Sequence, residues 1–208
     1  MRISKLFIAG MFACASIAPV IAPAAGQDNN DDFDPMTVNV SDAIMCKIDA
    51  PTYNSFALSI GSDWKKRGWQ KIETKNSFLN EYRLPAPINV AGMQTRHIAF
   101  SASAVMAVLD IADPNIVAKP EGITNDVDPA AFFKDMKLTP EQIKDIPKTN
   151  KFLGQKILID TTEKDAELNM QFHTVIARTI SNVRNLPNKT LYGCSYNIEM
   201  LDAAGKPL

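Results

Sequence analysis

Residues 168–200 read LNMQFHTVIARTISNVRNLPNKTLYGCSYNIEM. Apolar side chains recur at alternate positions in both halves of this stretch, a period of two that is typical of β-strands with one buried face. The alternating residues are Leu168, Met170, Phe172, Ile176 and Ile180 in the first half, and Tyr192, Cys194, Tyr196, Ile198 and Met200 in the second. Residues 185–188 read NLPN, which is typical of a turn. Because two strands joined by a short link normally pair antiparallel, the stretch predicts an antiparallel hairpin.

Three further stretches have the pattern of strands. Residues 69–84 alternate between polar and apolar side chains, and Pro85 and Pro87 are expected to end that strand because proline lacks a backbone N–H. Residues 94–109 form the longest candidate strand, with larger apolar residues on one face and mostly small residues on the other. Residues 153–159 predict one more strand before the hairpin.

One amphipathic helix is predicted ahead of the strands. Pro51 suits the first turn of a helix, where its missing N–H costs nothing. Apolar residues then follow at the i, i+3, i+4 and i+7 spacing of a single helix face, namely Tyr53, Phe56, Ala57 and Ile60. Gly61 is expected to end this helix.

These elements together predict an α+β fold. We expect an antiparallel sheet of about five or six long strands packed by one main N-terminal helix. Residues 110–150 are rich in proline and predict an excursion of loops and short helices between strands, with helices at about 129–136 and 140–146. A half-closed β-barrel is the alternative architecture, because the strands are long enough to curl.

The first residues have the pattern of an export signal. Arg2 and Lys5 precede an apolar stretch, and small residues follow up to a cleavage site after Ala24 or a residue or two later. Prolines interrupt the apolar stretch, which makes it a poor membrane span. We therefore predict a cleaved signal peptide over residues 1–26. Lipid attachment at Cys14 is the less favoured alternative, because the bulky side chains before it fit a lipidation motif poorly.

The chain after the predicted signal peptide divides into two parts. Residues 27–36 are acidic and polar, and we expect them to form a disordered leader. Residues 37–208 are expected to form a single α+β domain that includes the excursion over 110–150. A cleaved signal peptide predicts a periplasmic or secreted protein.

Composition and motifs exclude several classes of protein. The chain has 208 residues, of which 46% are hydrophobic and 22% charged, and its formal net charge is −1. This is ordinary globular composition, without the basic surface that nucleic-acid binding needs. The sequence contains no P-loop, no GxGxxG, no GxSxG and no HExxH motif. We therefore predict no cofactor, no metal site and no identifiable catalytic residue.

The cysteines predict a disulfide bond. Of the three cysteines, Cys14 lies in the predicted signal peptide and would be removed with it. Cys46 and Cys194 then remain as a pair in an oxidising compartment, where two such thiols usually join. The bond would tie the start of the domain to its last strand.

Two features are candidates for chemistry or binding. His97 and His173 lie on the polar side of their predicted strands, and they could form one polar-face site if those strands are neighbours. A plain surface position is the simpler interpretation of both residues. The second feature is a run of cations between two tryptophans, which is a candidate surface contact for anionic lipids or glycans. Its residues are Trp64, Lys65, Lys66, Arg67 and Trp69.

The expected function is that of an exported, non-enzymatic binding or accessory protein of a bacterial envelope. It would present a sheet face or a cavity to a lipid, a small apolar ligand or a protein partner. A secreted hydrolase is one alternative, and it would need His97 or His173 within side-chain reach of a carboxylate in a concave site. A structural or interaction protein of the cell surface is the other, with a sheet edge or the segment from Trp64 to Trp69 as its contact.

Overall fold

A computed structural model describes residues 33–74, 76–125, 152–183 and 186–208. The chain divides into two units, Met1–Phe33 and Asp34–Leu208, and the fold belongs to the second. The predicted signal peptide and the predicted helices at 129–136 and 140–146 lie outside the described residues.

The second unit is dominated by one antiparallel sheet that curves into a half-barrel. Its strands are β1 (Gln70–Ile72), β2 (Asn80–Val90), β3 (Met93–Phe100), β4 (Ala104–Leu109), β5 (Phe152–Asp165), β6 (Met170–Asn182) and β7 (Thr190–Leu201). The described helices are a 3-10 turn (Pro35–Thr37), α1 (Val40–Ile44), α2 (Ala50–Asp63) and α3 (Asn115–Glu121). The strand order is β1-β2-β3-β4-β7-β6-β5, and every neighbouring pair is antiparallel.

The predicted β-rich, antiparallel character is confirmed, but the predicted arrangement is wrong. The sheet has seven strands rather than five or six. The helical cover on the sheet includes residues of α1, α2 and α3 rather than those of one main helix. The half-barrel agrees with the alternative architecture, in which long strands curl.

The strand predicted over residues 94–109 is two strands joined by a tight turn. The backbone N–H of Ser101 donates to the carbonyl of Ala104, and this bond closes the turn between β3 and β4. Phe100 and Val105 face each other across the hairpin, so the turn reverses the phase of the alternation: Val105 joins Phe100 in the main core, and Met106 faces the other side of the sheet. Small residues at 101–103 fit both a strand and a turn, which is why the pattern alone does not reveal the break.

The strand predicted over residues 69–84 is also divided, and the two prolines do not end it. β1 and β2 are separate strands, and β2 continues through Pro85 and Pro87 as far as Val90. The pairing of β2 with β3 shifts register between Arg83 and Ile88. A proline is tolerated where ladder pairing is interrupted, so this irregularity accommodates both rings.

Aromatic side chains fill the space between the sheet and α2. Asp49 caps the start of α2 by accepting a hydrogen bond from the backbone N–H of Thr52. The buried face of the helix contains Tyr53, Phe56 and Ile60. The rings of Tyr53 and Tyr196 stack with 4.2 Å between their centres, which joins α2 directly to β7.

A disulfide bond joins α1 to the middle of the sheet. Cys46 follows the last turn of α1 and is bonded to Cys194 of β7, as predicted, with 5.3 Å between their Cα atoms. The two cysteines are separated by 148 positions. Chain-entropy models give a loop of that size roughly 5 kcal/mol of stabilisation, because the bond restricts the unfolded chain.

Hydrogen bonds from the sheet complete the attachment of α1. The carbonyls at the end of a helix lack partners within it. Here the Tyr196 hydroxyl donates to the Ala43 carbonyl at 2.6 Å, and the buried Arg178 guanidinium donates to the carbonyls of Ile44 and Met45. Burial raises the pKa of Tyr196, so its hydroxyl keeps the proton that it donates.

The Arg178 side chain also organises the start of the last strand. Its guanidinium lies over the Tyr192 ring, 4.7 Å from the ring centre. The Tyr192 hydroxyl donates to the Glu121 carboxylate at the end of α3, and that carboxylate lies 3.9 Å from Arg178 Nε. One buried cation therefore contacts α1, α3 and the sheet.

Replacing Arg178 with methionine is expected to lower the free energy of unfolding by about 3 kcal/mol. The substitution keeps the bulk of the side chain but leaves the buried carbonyls at the end of α1 without donors. Urea denaturation followed by circular dichroism measures the change. Lys47→Met is the matched control, because Lys47 is exposed and its ion pair with Asp42 is a surface pair. Equal stability of the two variants would contradict a central role for Arg178.

A strained turn joins β2 to β3. Val90 and Met93 face each other across a two-residue loop in which Ala91 and Gly92 have φ of 51° and 75°. Both φ angles are positive, as a type I′ hairpin turn requires. Asparagine and glycine adopt this conformation easily, whereas the Cβ of alanine makes it costly.

Ala91→Asn is expected to raise the free energy of unfolding by about 0.5–1 kcal/mol, because asparagine tolerates the left-handed conformation. The measurement is the same urea titration, with the slope of the transition unchanged. Ala102→Asn serves as the control, since Ala102 lies in the neighbouring turn without a positive φ. A gain of the same size in both variants would show that the effect does not come from the Ala91 backbone.

Candidate functional site

The structure does not bring His97 and His173 together. His97 lies on β3 and His173 on β6, and β4 and β7 separate these strands. Ile98, next to His97, and Ile180 of β6 belong to one row of cross-strand partners that runs through β4 and β7. Ile180 is seven positions along β6 from His173. Strand spacing and rise per residue then place the two histidines roughly 30 Å apart along the sheet. They cannot share a ligand, and each one pairs with carboxylates on neighbouring strands.

His173 forms an exposed cluster with two carboxylates. Its Nε2 lies 2.9 Å from Asp160 Oδ1 on β5, and its Nδ1 lies 3.7 Å from Glu199 Oε2 on β7. The hydrogen bond to Asp160 raises the pKa of His173 above its ordinary value of 6.5, and Glu199 adds to this effect. Both carboxylates are largely exposed to solvent. The cluster is therefore a set of surface interactions between three strands.

His97 has a different environment, because its partner is buried. His97 Nε2 lies 2.7 Å from Glu81 Oε2 on the adjacent strand β2. Glu81 is only 2% exposed, and its other carboxylate oxygen has no hydrogen-bond partner in the described parts of the chain. A buried carboxylate that is half unpaired costs stability, and such groups are concentrated at functional sites.

A cleft of about 510 Å³ opens beside His97. Its charged lining residues are Arg83, Arg96, His97, Asp110 and Lys189. Asp110 and Lys189 form an ion pair with each other. His97 therefore meets the geometric condition that the hydrolase alternative sets, a histidine beside a carboxylate in a concave site.

The tryptophans of the candidate surface contact are turned toward the core. Trp69 is buried against Tyr82 and Phe100, and Trp64 is partly buried and tilted against Tyr82. Lys65 lies over the Trp64 ring. This part of the chain therefore uses its aromatic rings mainly to close one end of the core.

Arg67 also has internal partners. Its guanidinium lies over the rings of Phe56 and Trp69 and donates to the carbonyls of Pro35 and Val38. These bonds attach the start of the domain to the end of α2. Lys65 and Lys66 remain as the exposed cations of the segment, so its role as a contact for anionic surfaces stays a prediction.

Sequence reasoning missed an apolar edge on β5. β5 is the last strand of the sheet order, and three consecutive aliphatic side chains on it are about half exposed. They are Ile157 (53%), Leu158 (45%) and Ile159 (43%). The register with β6 shifts between Ile157 and Ile159, so Leu158 is the extra residue of a bulge. Three consecutive aliphatic residues usually indicate a strand buried on both faces. That signal is visible in the sequence, but it does not reveal that the strand lies at an edge.

The two arginines of the cleft and the buried Glu81 were also missed. Glu81 and Arg83 occupy polar positions of an alternating stretch and Arg96 lies in a polar run, where charged side chains normally face water. Only the pairing of β2 with β3, which sets Arg83 opposite His97, gathers them at one place. No spacing along the chain encodes that neighbourhood.

Two further findings concern the described residues. No described helix has the length and apolar character to cross a membrane. Among these residues, no three His, Cys, Asp or Glu side chains are grouped so as to hold a metal ion. Comparison with protein-family models, curated protein sequences and solved structures gives no match to this chain.

The pKa of His173 should be measurable by NMR titration of its ring protons. We expect a value above 6.5 in the native protein and a fall toward 6.5 in Asp160→Asn, which loses the principal charged partner. Because the folded pKa is the higher one, the interaction stabilises the protein fully below about 6.5. That contribution is lost as the pH rises through the folded pKa.

Glu199→Gln is the matched control for this titration. Its carboxylate is farther from the ring than that of Asp160, so the pKa of His173 should fall less. A native pKa at or below 6.5 would contradict the arrangement of the cluster.

Proposed function

We propose that this protein is an exported, non-enzymatic accessory protein of a bacterial envelope, which binds an extended segment of a protein partner along the outer edge of β5, where no other described strand pairs. The signal-like residues 1–26 support export. The bond between Cys46 and Cys194 supports it as well, because structural disulfides persist mainly in oxidising compartments.

The aliphatic surface of Ile157, Leu158 and Ile159 is the observation that carries the binding proposal. Their cross-strand neighbours on β6, Ala177 and Ile176, are adjacent in sequence, so Ile157 and Ile159 stand on opposite faces of the edge. A partner that joins this edge would cover apolar surface on both faces. Each side chain is about half exposed without such a partner.

The backbone of β5 supports strand addition as the mode of binding. β5 is the longest strand described, spanning Phe152–Asp165, and no other described segment pairs with its outer edge. An edge strand offers a row of N–H and C=O groups that an extended peptide can use. The bulge at Leu158 interrupts that row near its middle, which favours a partner that pairs with residues beyond it.

Charge indicates what kind of segment would bind. Residues 160–167 contain four carboxylates and one lysine, and Glu199 lies close by on β7. The far half of β5 is therefore acidic, and a basic extended segment complements it. A second copy of this chain would bring the same excess of carboxylates to the contact.

The filled interior favours a protein partner over a lipid. Tyr53, Phe56, Tyr192 and Tyr196 are fully buried between the helices and the sheet. Their rings occupy the space in which an acyl chain would have to lie. The exposed apolar surface at the edge has no such occupant among the described residues.

A synthetic basic peptide tests the proposal. Its valines would alternate with lysine and threonine, and a peptide with glutamate in place of lysine is the counterpart. We expect the basic peptide to slow backbone hydrogen exchange in β5 and to bind more tightly than the acidic one. Ile157→Lys should weaken binding about fivefold, because the exposed half of an isoleucine contributes about 1 kcal/mol when buried.

Leu58→Lys is the control variant, since Leu58 is exposed on α2 and should not affect the peptide. Protection of any element other than β5, or equal binding to both variants, would overturn the proposal. Concentration-dependent protection of β5 without peptide, abolished by Ile157→Lys, would identify a second copy as the occupant and would also overturn it.

A further inference from the structure

The cleft beside His97 has the chemistry of a ligand site that is separate from the β5 edge. We propose that it binds a small molecule through a carboxylate or phosphate group held by Arg83 and Arg96, with His97 accepting a hydrogen bond from another group of the same molecule. A volume of about 510 Å³ holds a small metabolite rather than a single ion.

Two unpaired arginines carry the argument. Arg83 and Arg96 both line the cleft, and neither has an ion pair or a side-chain hydrogen bond to any residue in the described ranges. The guanidinium group matches carboxylate and phosphate oxygens with two parallel hydrogen bonds. Two such groups at one concave surface therefore favour an anionic ligand.

The buried Glu81 carboxylate fixes how His97 faces this surface. Because Glu81 accepts from His97 Nε2, that nitrogen holds a hydrogen and is already used. His97 Nδ1 has no hydrogen-bond partner among the described residues, and in the neutral ring it is an acceptor, so it suits a hydroxyl or N–H of the ligand rather than the anionic oxygens. His97 and Arg83 are direct cross-strand partners, so their side chains start from the same face of the sheet.

The other charged residues of the cleft neutralise each other. Lys189, near the start of β7, forms its ion pair with Asp110, which follows β4. Asp110 is therefore not free to repel an anion at the arginines. The remaining charge of the lining is that of Arg83 and Arg96, with His97 backed by Glu81.

Inorganic phosphate and citrate are the two probes, because they distinguish a phosphate ligand from a carboxylate ligand. Each would be titrated into the intact mature protein at constant ionic strength, maintained with chloride, while the ring signals of His97 are followed by NMR. We expect saturable shifts of these signals, without change at His173. Saturation with phosphate assigns a phosphate ligand, and saturation with citrate assigns a carboxylate ligand.

A pair of double variants tests the contacts. Arg83→Gln with Arg96→Gln should weaken binding about tenfold or more, because both guanidinium contacts are lost. Lys65→Gln with Lys66→Gln removes the same number of positive charges from an exposed segment elsewhere, and it should leave the affinity unchanged. All four side chains are exposed, so both proteins are expected to fold.

The proposal is overturned if neither anion gives saturable shifts at His97. It is also overturned if the lysine variant weakens binding as much as the arginine variant, since the effect would then be one of net charge alone. Peptide binding at β5 is measured separately, so either site can fail without the other.

Discussion

The buried Arg178 guanidinium and the neighbouring disulfide hold the helices of this protein on its sheet. Arg178 of β6 and Cys194 of β7 are cross-strand partners, and both attach to the end of α1. The hydrogen bonds satisfy carbonyls that a short helix leaves unpaired, and the covalent bond prevents their separation. Without this attachment, a five-residue helix would not remain folded against the sheet, because so short a helix is unstable alone.

In the described parts of the chain, the helices that this attachment holds cover only part of the sheet. α1 and α2 cover the part of β7 that contains Cys194 and Tyr196. β5 and β7 continue beyond that region as long strands with exposed residues, whereas the residues of β6 there are partly buried. The His173 cluster lies on this extension. Ile157 and Ile159 are instead level with the covered region, because their β6 partners pair with Ser195 and Tyr196 of β7, and their exposure comes from their position on the outermost described strand.

The two histidines form similar hydrogen bonds with carboxylates, but the carboxylates differ in burial. Each is hydrogen-bonded to a carboxylate on a neighbouring strand at nearly the same distance. Asp160 is exposed, so its pair with His173 is screened by water. Glu81 is buried, and water screens charge less there. The His97 ring bonded to it lines the cleft for which we propose a ligand.

The sequence by itself determined the local pattern of this protein: the period of two in β6 and β7, the apolar face of α2, and the pairing of the two cysteines outside the signal-like segment. These features depend on side chains that are near in sequence or have only one possible partner. Tertiary structure decided the strand order, which separates His97 from His173 and leaves β5 at the edge. It also decided the burial of Glu81. Alternation specifies which side chains share a face, but the neighbours across a sheet are set by long-range packing of the whole chain.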